Sequence, residues 1–157
     1  MRIRLLNVGK PRVQDAIRLH DDYAERLKKL GVGYETLHVP EVRAGGRFSD
    51  DHVKEREARS LLELIERNRS KGTLIALHER GELFSSRQLA GLLEGWSMPA
   101  ATFVIGGPLG LHDRLLERCD RLWALSPLTL PHELARVLVA EQLYRATTIL
   151  RRIPYHK

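Results

Sequence analysis

Five short apolar runs alternate along this chain with segments whose apolar residues recur at helical spacing. That alternation restricts the fold more than any other feature of the sequence. The runs at residues 2–8, 34–39, 73–78, 101–105 and 122–125 read as strands, and Thr73-Leu74-Ile75-Ala76-Leu77-His78 is too apolar to leave a face in water. Val13, Ala16, Ile17, His20, Ala24 and Leu27 share one helical stripe, which Gly31 stops. Ser49 or Asp50 can cap a helix burying Val53, Ala58, Leu61, Leu62 and Ile65. Ser85-Ser86-Arg87-Gln88 is a capping box, and the helix it opens carries Leu89, Leu92, Leu93 and Trp96. Residues 111–118 predict a short helix and 132–150 a final one. The class is therefore α/β, a mainly parallel sheet flanked by helices. In open sheets of this kind ligands bind outside the carboxyl ends of the strands, so the loops there are where chemistry is sought.

With 157 residues, no internal repeat and no Ser/Gly linker, residues 1–157 are expected to form one domain. Charged residues are 29% and hydrophobic ones 43%, which excludes a disordered composition. No apolar run approaches the roughly 18 residues of a membrane span. The opening Met1-Arg2-Ile3-Arg4-Leu5-Leu6 lacks the pattern of a signal peptide. The one cysteine, Cys119, cannot form an internal bridge, so a reducing, cytoplasmic setting is expected. The formal charge of +6 suits either a polyanionic partner or a plain basic surface. Arg145, Arg151, Arg152, His156 and Lys157 fall in a final stretch without any acid, which reads as a contact surface. Arg43-Ala44-Gly45-Gly46-Arg47 reads as a mobile basic loop.

Three loops leave the carboxyl ends of the strands. Gly106-Gly107-Pro108-Leu109-Gly110 lets a ligand approach the backbone, but it is neither a Walker loop nor Gly-x-Gly-x-x-Gly. Ser126-Pro127-Leu128-Thr129-Leu130-Pro131-His132 offers main-chain groups between apolar walls, a setting that suits a flat ring such as adenine. The third loop is 78–84. Seven histidines show no metal-ligand spacing, so no metal is expected. His20 reads as a satisfied structural histidine. In the last helix, Leu134, Leu138, Glu141 and Arg145 share a stripe opposite Val139, Leu143, Ala146 and Leu150. A helix apolar almost all round needs cover on two sides, and a second subunit would supply one of them.

The blocks Phe103–Leu111 and Leu125–His132, then Arg136-Val137-Leu138 through Glu141-Gln142-Leu143-Tyr144-Arg145-Ala146, and finally Pro154-Tyr155-His156-Lys157 closely resemble the RlmH family. These are small SPOUT-class methyltransferases of 23S ribosomal RNA, and the likeness spans the whole chain. Chain-connection rules applied to the residues alone predict an unthreaded sheet. The resemblance instead implies a C-terminal trefoil knot, a homodimer, S-adenosylmethionine as cofactor and N3 of a pseudouridine as target. By position it implies cofactor contacts at Leu77, Gly106, Gly107, Leu125, Ser126, Pro127, Leu128, Thr129 and Leu130, with the tail reaching a neighbour's cofactor. The sequence departs from the common pattern at Glu82, Arg56 and Pro127.

Methyl transfer to an imide nitrogen asks chiefly for alignment, for loss of the N3 proton and for stabilisation of charge on the flanking carbonyl oxygens. His156, His132 and Tyr155, in that order, are candidate proton acceptors, and Arg136 and Arg145 are candidate cations. Two other readings remain open on the residues: a non-catalytic ribosome-binding or assembly protein, and a nucleotide or flavin binder using 106–110 for phosphate. The 125–131 loop separates the last, because a phosphate binder has no use for it.

Overall fold

The computed structural model describes residues 1–43, 45, 48–68, 72–96 and 100–157. Its elements are β1 (Arg2–Val8), α1 (Gln14–Lys29), β2 (Gly33–Val39), α2 (Asp50–Arg67), β3 (Thr73–Leu83), α3 (Ser86–Trp96), β4 (Ala101–Ile105), α4 (Asp113–Leu116), β5 (Arg121–Ala124) and α5 (His132–Leu150). The strands form one parallel sheet in the order β2-β1-β4-β3-β5, the architecture that the alternation requires.

Successive strand residues face opposite sides of a sheet, and here both sides are covered. Ile3, Leu5, Ile75 and Phe103 pack with Leu27 of α1, Leu93 of α3 and Val139 and Leu143 of α5. Leu6, Val8, Ala76 and Val104 pack with Ala58 and Leu61 of α2 and Leu115 of α4. This double cover explains why the strands read as continuous apolar runs rather than as alternations. The helix starts are those the residues announce. Ser49 Oγ accepts the His52 N–H at 3.2 Å. In the capping box, Ser85 Oγ accepts the Gln88 N–H at 3.2 Å while Gln88 Oε1 accepts the Ser85 N–H at 2.8 Å.

Several expectations change. Leu62 and Ile65 are half-buried rather than in the core, and the buried face of α2 includes Glu57 instead. The fourth helix is shorter than 111–118. His112 caps it, and its end tightens into i→i−3 bonds from Arg118 and Cys119 to Leu115 and Leu116. The basic loop at 43–47 lies partly outside the described residues, at 44, 46 and 47.

The largest change is in β3, which continues to Leu83 instead of ending at His78. It pairs with β5 twice: Leu77 opposite Trp123, then Glu82 opposite the same Trp123 and Leu83 opposite Ala124. Residues 78–81 are thrown out as a wide bulge between the two pairings. Glu79-Arg80-Gly81-Glu82 has no apolar period, so periodicity ends the strand there, but ladder pairing is made by the backbone and resumes. Gly81 makes the return possible. A Cβ at that position would sit 2.6 Å from backbone atoms of both Leu122 and Trp123.

Candidate active site

The strand order places three connections at one end of the sheet, and they enclose a cleft of about 720 Å³. Its wall carries Leu77, Gly106, Gly107 and the whole run Leu125, Ser126, Pro127, Leu128, Thr129 and Leu130, together with His132. All nine sequence-derived cofactor candidates therefore share one cavity, whose volume lies within the roughly 300–1,000 Å³ usual for small-molecule sites.

Local backbone geometry shapes this wall. Gly107 and Gly110 bridge each other, with the Gly110 N–H donating to the Gly107 carbonyl at 2.9 Å. A Cβ on Gly106 would lie 2.8 Å from the Gly110 carbonyl carbon, so the loop folds back on itself only because residue 106 has no side chain. Opposite, Ser126 Oγ accepts the Leu128 N–H at 2.9 Å in a tight Ser turn. Among the described residues, 126–130 form no backbone–backbone hydrogen bond, which leaves their carbonyls and the amides of Ser126, Thr129 and Leu130 available to a ligand.

The β3 bulge supplies wall residues that sequence reading treated only as a loop. His78 and Arg80 line the cleft, and Arg80 Nη2 lies 2.9 Å from Asp113 Oδ1 on α4. Burial, then the nearby Arg80 charge, lowers the His78 pKa from the usual histidine value. Glu82, one of the departures from the family pattern, has its charge met by Arg121 at 4.0 Å. Lys54 of α2 also reaches the wall. It went unnoticed in the sequence, although its place one turn into a helix that starts at this end of the sheet was a usable signal. Among the described residues no three His, Cys, Asp or Glu side chains converge as metal ligands.

Residues 1–156 match the family model described as "Predicted SPOUT methyltransferase". The chain belongs to the SPOUT methyltransferase family. A protein of Alkalilimnicola ehrlichii named Ribosomal RNA large subunit methyltransferase H is 38% identical to it, covering 100% of this chain and 99% of that one. A protein of the same name from Gemmatimonas aurantiaca is 42% identical, covering 100% of both. A crystal structure titled as a probable methyltransferase from Bordetella pertussis Tohama I superposes with a TM-score of 0.54 at 22% identity, covering 92% of this chain and 93% of that one, and shows the shared fold.

In this SPOUT methyltransferase the five catalytic candidates separate. His132 stands on the cleft at the start of α5. Arg145, Tyr155 and His156 do not line it. They cluster far along α5, where the tail turns back at Arg152 (φ 56°) and the Ile153 N–H bonds the Thr148 carbonyl. Glu141 gathers the cluster, accepting from Arg145 Nη2 at 2.6 Å and from the Tyr155 hydroxyl at 3.0 Å. The Arg145 guanidinium lies 4.6 Å from the Tyr155 ring centroid and 3.5 Å from His156 Nδ1. The Glu141 hydrogen bond raises the Arg145 pKa, and burial, with hydrogen bonds to Tyr23 and Glu141, holds the Tyr155 hydroxyl well above the usual tyrosine range.

Arg136 fits neither group. It is 7% exposed, its Nε has no hydrogen-bond partner among the described residues, and its electrostatic neighbours are Glu133, Tyr34, Asp21 and His20 rather than groups of the cleft wall. Burial lowers its pKa. The structure of the single chain thus removes Arg136 from the cleft, because its position on α5 turns it onto α1 and the sheet.

Proposed function

We propose that this enzyme methylates N3 of a pseudouridine in 23S ribosomal RNA, with S-adenosylmethionine as donor and the assembled large subunit or ribosome as substrate. Residues 1–157 work as one domain, as a homodimer, with a C-terminal trefoil knot. The observation that carries the reading is the cleft: bare glycine backbone on one side, unpaired main-chain groups of an apolar loop on the other, in a chain with full-length relatives named for methylation of large-subunit RNA. Ribosomal RNA as substrate also accounts for the charge of +6 and for a cytoplasmic site of action.

These residues fit the donor. When bound, S-adenosylmethionine supplies a methyl group on a positively charged sulfur. Gly106 and Gly107 admit close approach of a ligand to the main chain, residues 125–130 offer amides and carbonyls to an adenine edge, and Leu77 closes the apolar wall.

The positions of the candidates support the dimer. From His132 to Arg145 is 13 residues of helix, about 20 Å at a 1.5 Å rise, so the tail cluster stands away from its own cleft. The outer face of α5 leaves Leu134 51% and Leu138 40% exposed. A twofold axis passing near these leucines covers them and lays the tail of one protomer over the cleft of its partner. There, His156 is the first candidate base and His132 the second. Tyr155, held in its protonated form, serves as a donor rather than a base. Arg145, kept cationic by Glu141, faces the charge that develops on the uracil carbonyls.

Mass spectrometry of large-subunit RNA from cells lacking the gene tests the reading: the N3 methyl should vanish, and its persistence refutes the assignment. Deleting Tyr155–Lys157 should abolish most methylation while fold and dimer survive, and full activity would remove the tail from the site.

A further inference from the structure

The connection from β2 to α2 and the glycine loop of the donor cleft meet on one buried carboxyl. Glu57 projects from α2 and is 3% exposed. Its Oε1 accepts the Val42 N–H at 2.9 Å. Its Oε2 lies 3.3 Å from where a Cβ on Gly107 would stand, beside Val8 Cγ1 at 3.1 Å. Val42 lies just past the end of β2 on the connection that carries Arg43 and Arg47, the basic segment read from sequence as a mobile loop, and Gly107 lines the cleft.

An acid is an expensive choice for this place. Burial pushes the Glu57 pKa up, the Val42 amide opposes that rise, and the neighbouring Glu41 charge adds to it. A leucine or methionine would fill the same space without a desolvation cost. What the carboxyl adds is reach: one oxygen accepts the Val42 amide, and the other packs against the bare backbone of Gly107.

We infer that Glu57 is a positioning residue for methyl transfer: it ties the start of the β2–α2 connection to the back of the Gly107–Gly110 turn, so that the shape of the donor wall depends on the placing of the basic connection. The inference rests on the proposed reaction for its purpose, but its structural content concerns the chain alone. Glu57 acts through Gly107, whose lack of a side chain lets the carboxyl close on the turn. Length and an acceptor are what the position requires. Glutamine keeps both, whereas aspartate keeps the charge but is one methylene short of spanning the two loops.

The full chain carrying Glu57→Asp is compared with Glu57→Gln. In the donor-free protein, Glu57→Asp should speed hydrogen exchange at the Val42 amide by about tenfold or more, the loss of one modest hydrogen bond, and shift the Gly107 and Gly110 amide resonances. Glu57→Gln should leave both near wild type. Titration with S-adenosylmethionine should show binding about tenfold weaker for Glu57→Asp and within about threefold of wild type for Glu57→Gln. Gly107→Ala reads the tie from its other end. The new methyl crowds Oε2, and Val42 exchange should quicken with residue 57 untouched. The inference is overturned if the two Glu57 variants behave alike, if Glu57→Gln is the impaired one, or if Gly107→Ala leaves Val42 exchange unchanged. The exchange measurements need no donor, so failure of the wild type to bind S-adenosylmethionine would defeat the proposed reaction without deciding the role of Glu57.

Discussion

Gly81→Ala is the substitution that most directly tests how the cleft is built. The added Cβ would lie 2.6 Å from the carbonyl carbons of Leu122 and Trp123 and from the Trp123 nitrogen, about 1 Å inside the roughly 3.5–4.0 Å carbon–carbon optimum. All three obstacles are main chain, so no rotamer change relieves them. The bulge must lift away from β5, which breaks the second pairing at Glu82–Trp123 and Leu83–Ala124. Two lost ladder bonds at about 1 kcal/mol each, with an overpacking strain of about 1–3 kcal/mol, give a destabilisation of about 3–5 kcal/mol. For a chain of this size that is a fall in Tm on the order of 10 °C. Leu77, His78, Arg80, Trp123 and Ala124 line the cleft on both sides of this seam, so donor affinity should fall as well. Urea and thermal unfolding followed by circular dichroism, with calorimetric titration of S-adenosylmethionine, measure both effects. A variant that melts within about 2 °C of wild type and binds the donor equally well would refute the double pairing of β3 with β5.

Three further outcomes are expected. Leu138→Glu places a charge on the exposed face of α5 in each protomer and should weaken dimerisation at least about 100-fold in sedimentation while leaving the protomer folded; an unchanged dimer moves the interface elsewhere. Burial holds the His20 pKa below its usual 6.5 against the pull of Asp21, and the neutral ring donates from Nδ1 to Asp21 and accepts the Tyr34 hydroxyl at Nε2, each at 3.0 Å. The unfolded chain therefore protonates first, so this contribution to stability is whole above about pH 6.5 and is lost as the pH falls toward the lower folded value; His20→Gln should flatten the stability profile between pH 7 and 5, and an unaltered slope counts against it. The Cys119 thiol, pushed up to about 12 by burial and then by Asp120, donates to the Leu115 carbonyl at 3.3 Å and should resist alkylation at pH 8 until the protein unfolds; rapid labelling of the native form contradicts that placement.

The parts of the fold legible in the residues are those governed by local rules. Periodicity and caps located the core of each strand and helix, because a sheet covered on both faces demands continuous apolar runs and the helices that cover it demand an apolar stripe. Caps were legible because Ser49, Ser85 and Gln88 satisfy donors within three residues of themselves. The bulge in β3 was not, since it depends on Gly81 meeting a strand some 40 residues later, which no local pattern reports. Glu57 was missed for a related reason: an acid on an apolar helix face reads as a lapse in the stripe until Val42 and Gly107 are seen beside it.

The candidate site was legible in the same proportion. Loops at the carboxyl ends of parallel strands share one end of the sheet, so the three connections of the proposed donor wall could be named from the strand–helix alternation, while the individual contact positions came from the family resemblance. Side-chain direction along α5 was a harder matter, although the signal was present. At about 100° per residue, Arg136 stands about 200° round from Leu134, beside Val139 at about 140° and Leu143 at about 180°. Both of those neighbours are fully buried, so Arg136 had to turn inward with them, whereas Arg145, about 20° from Leu134, had to leave the core for the face that the tail half covers. The same angles put Leu138, Glu141 and Arg145 on one seam, exposed at Leu138 and half-buried under the tail at Glu141 and Arg145. A seam with leucines near the cleft and a clamped tail about 20 Å along the helix is unbalanced on a single chain, and the proposed dimer, with its two copies antiparallel, would match each half with the other.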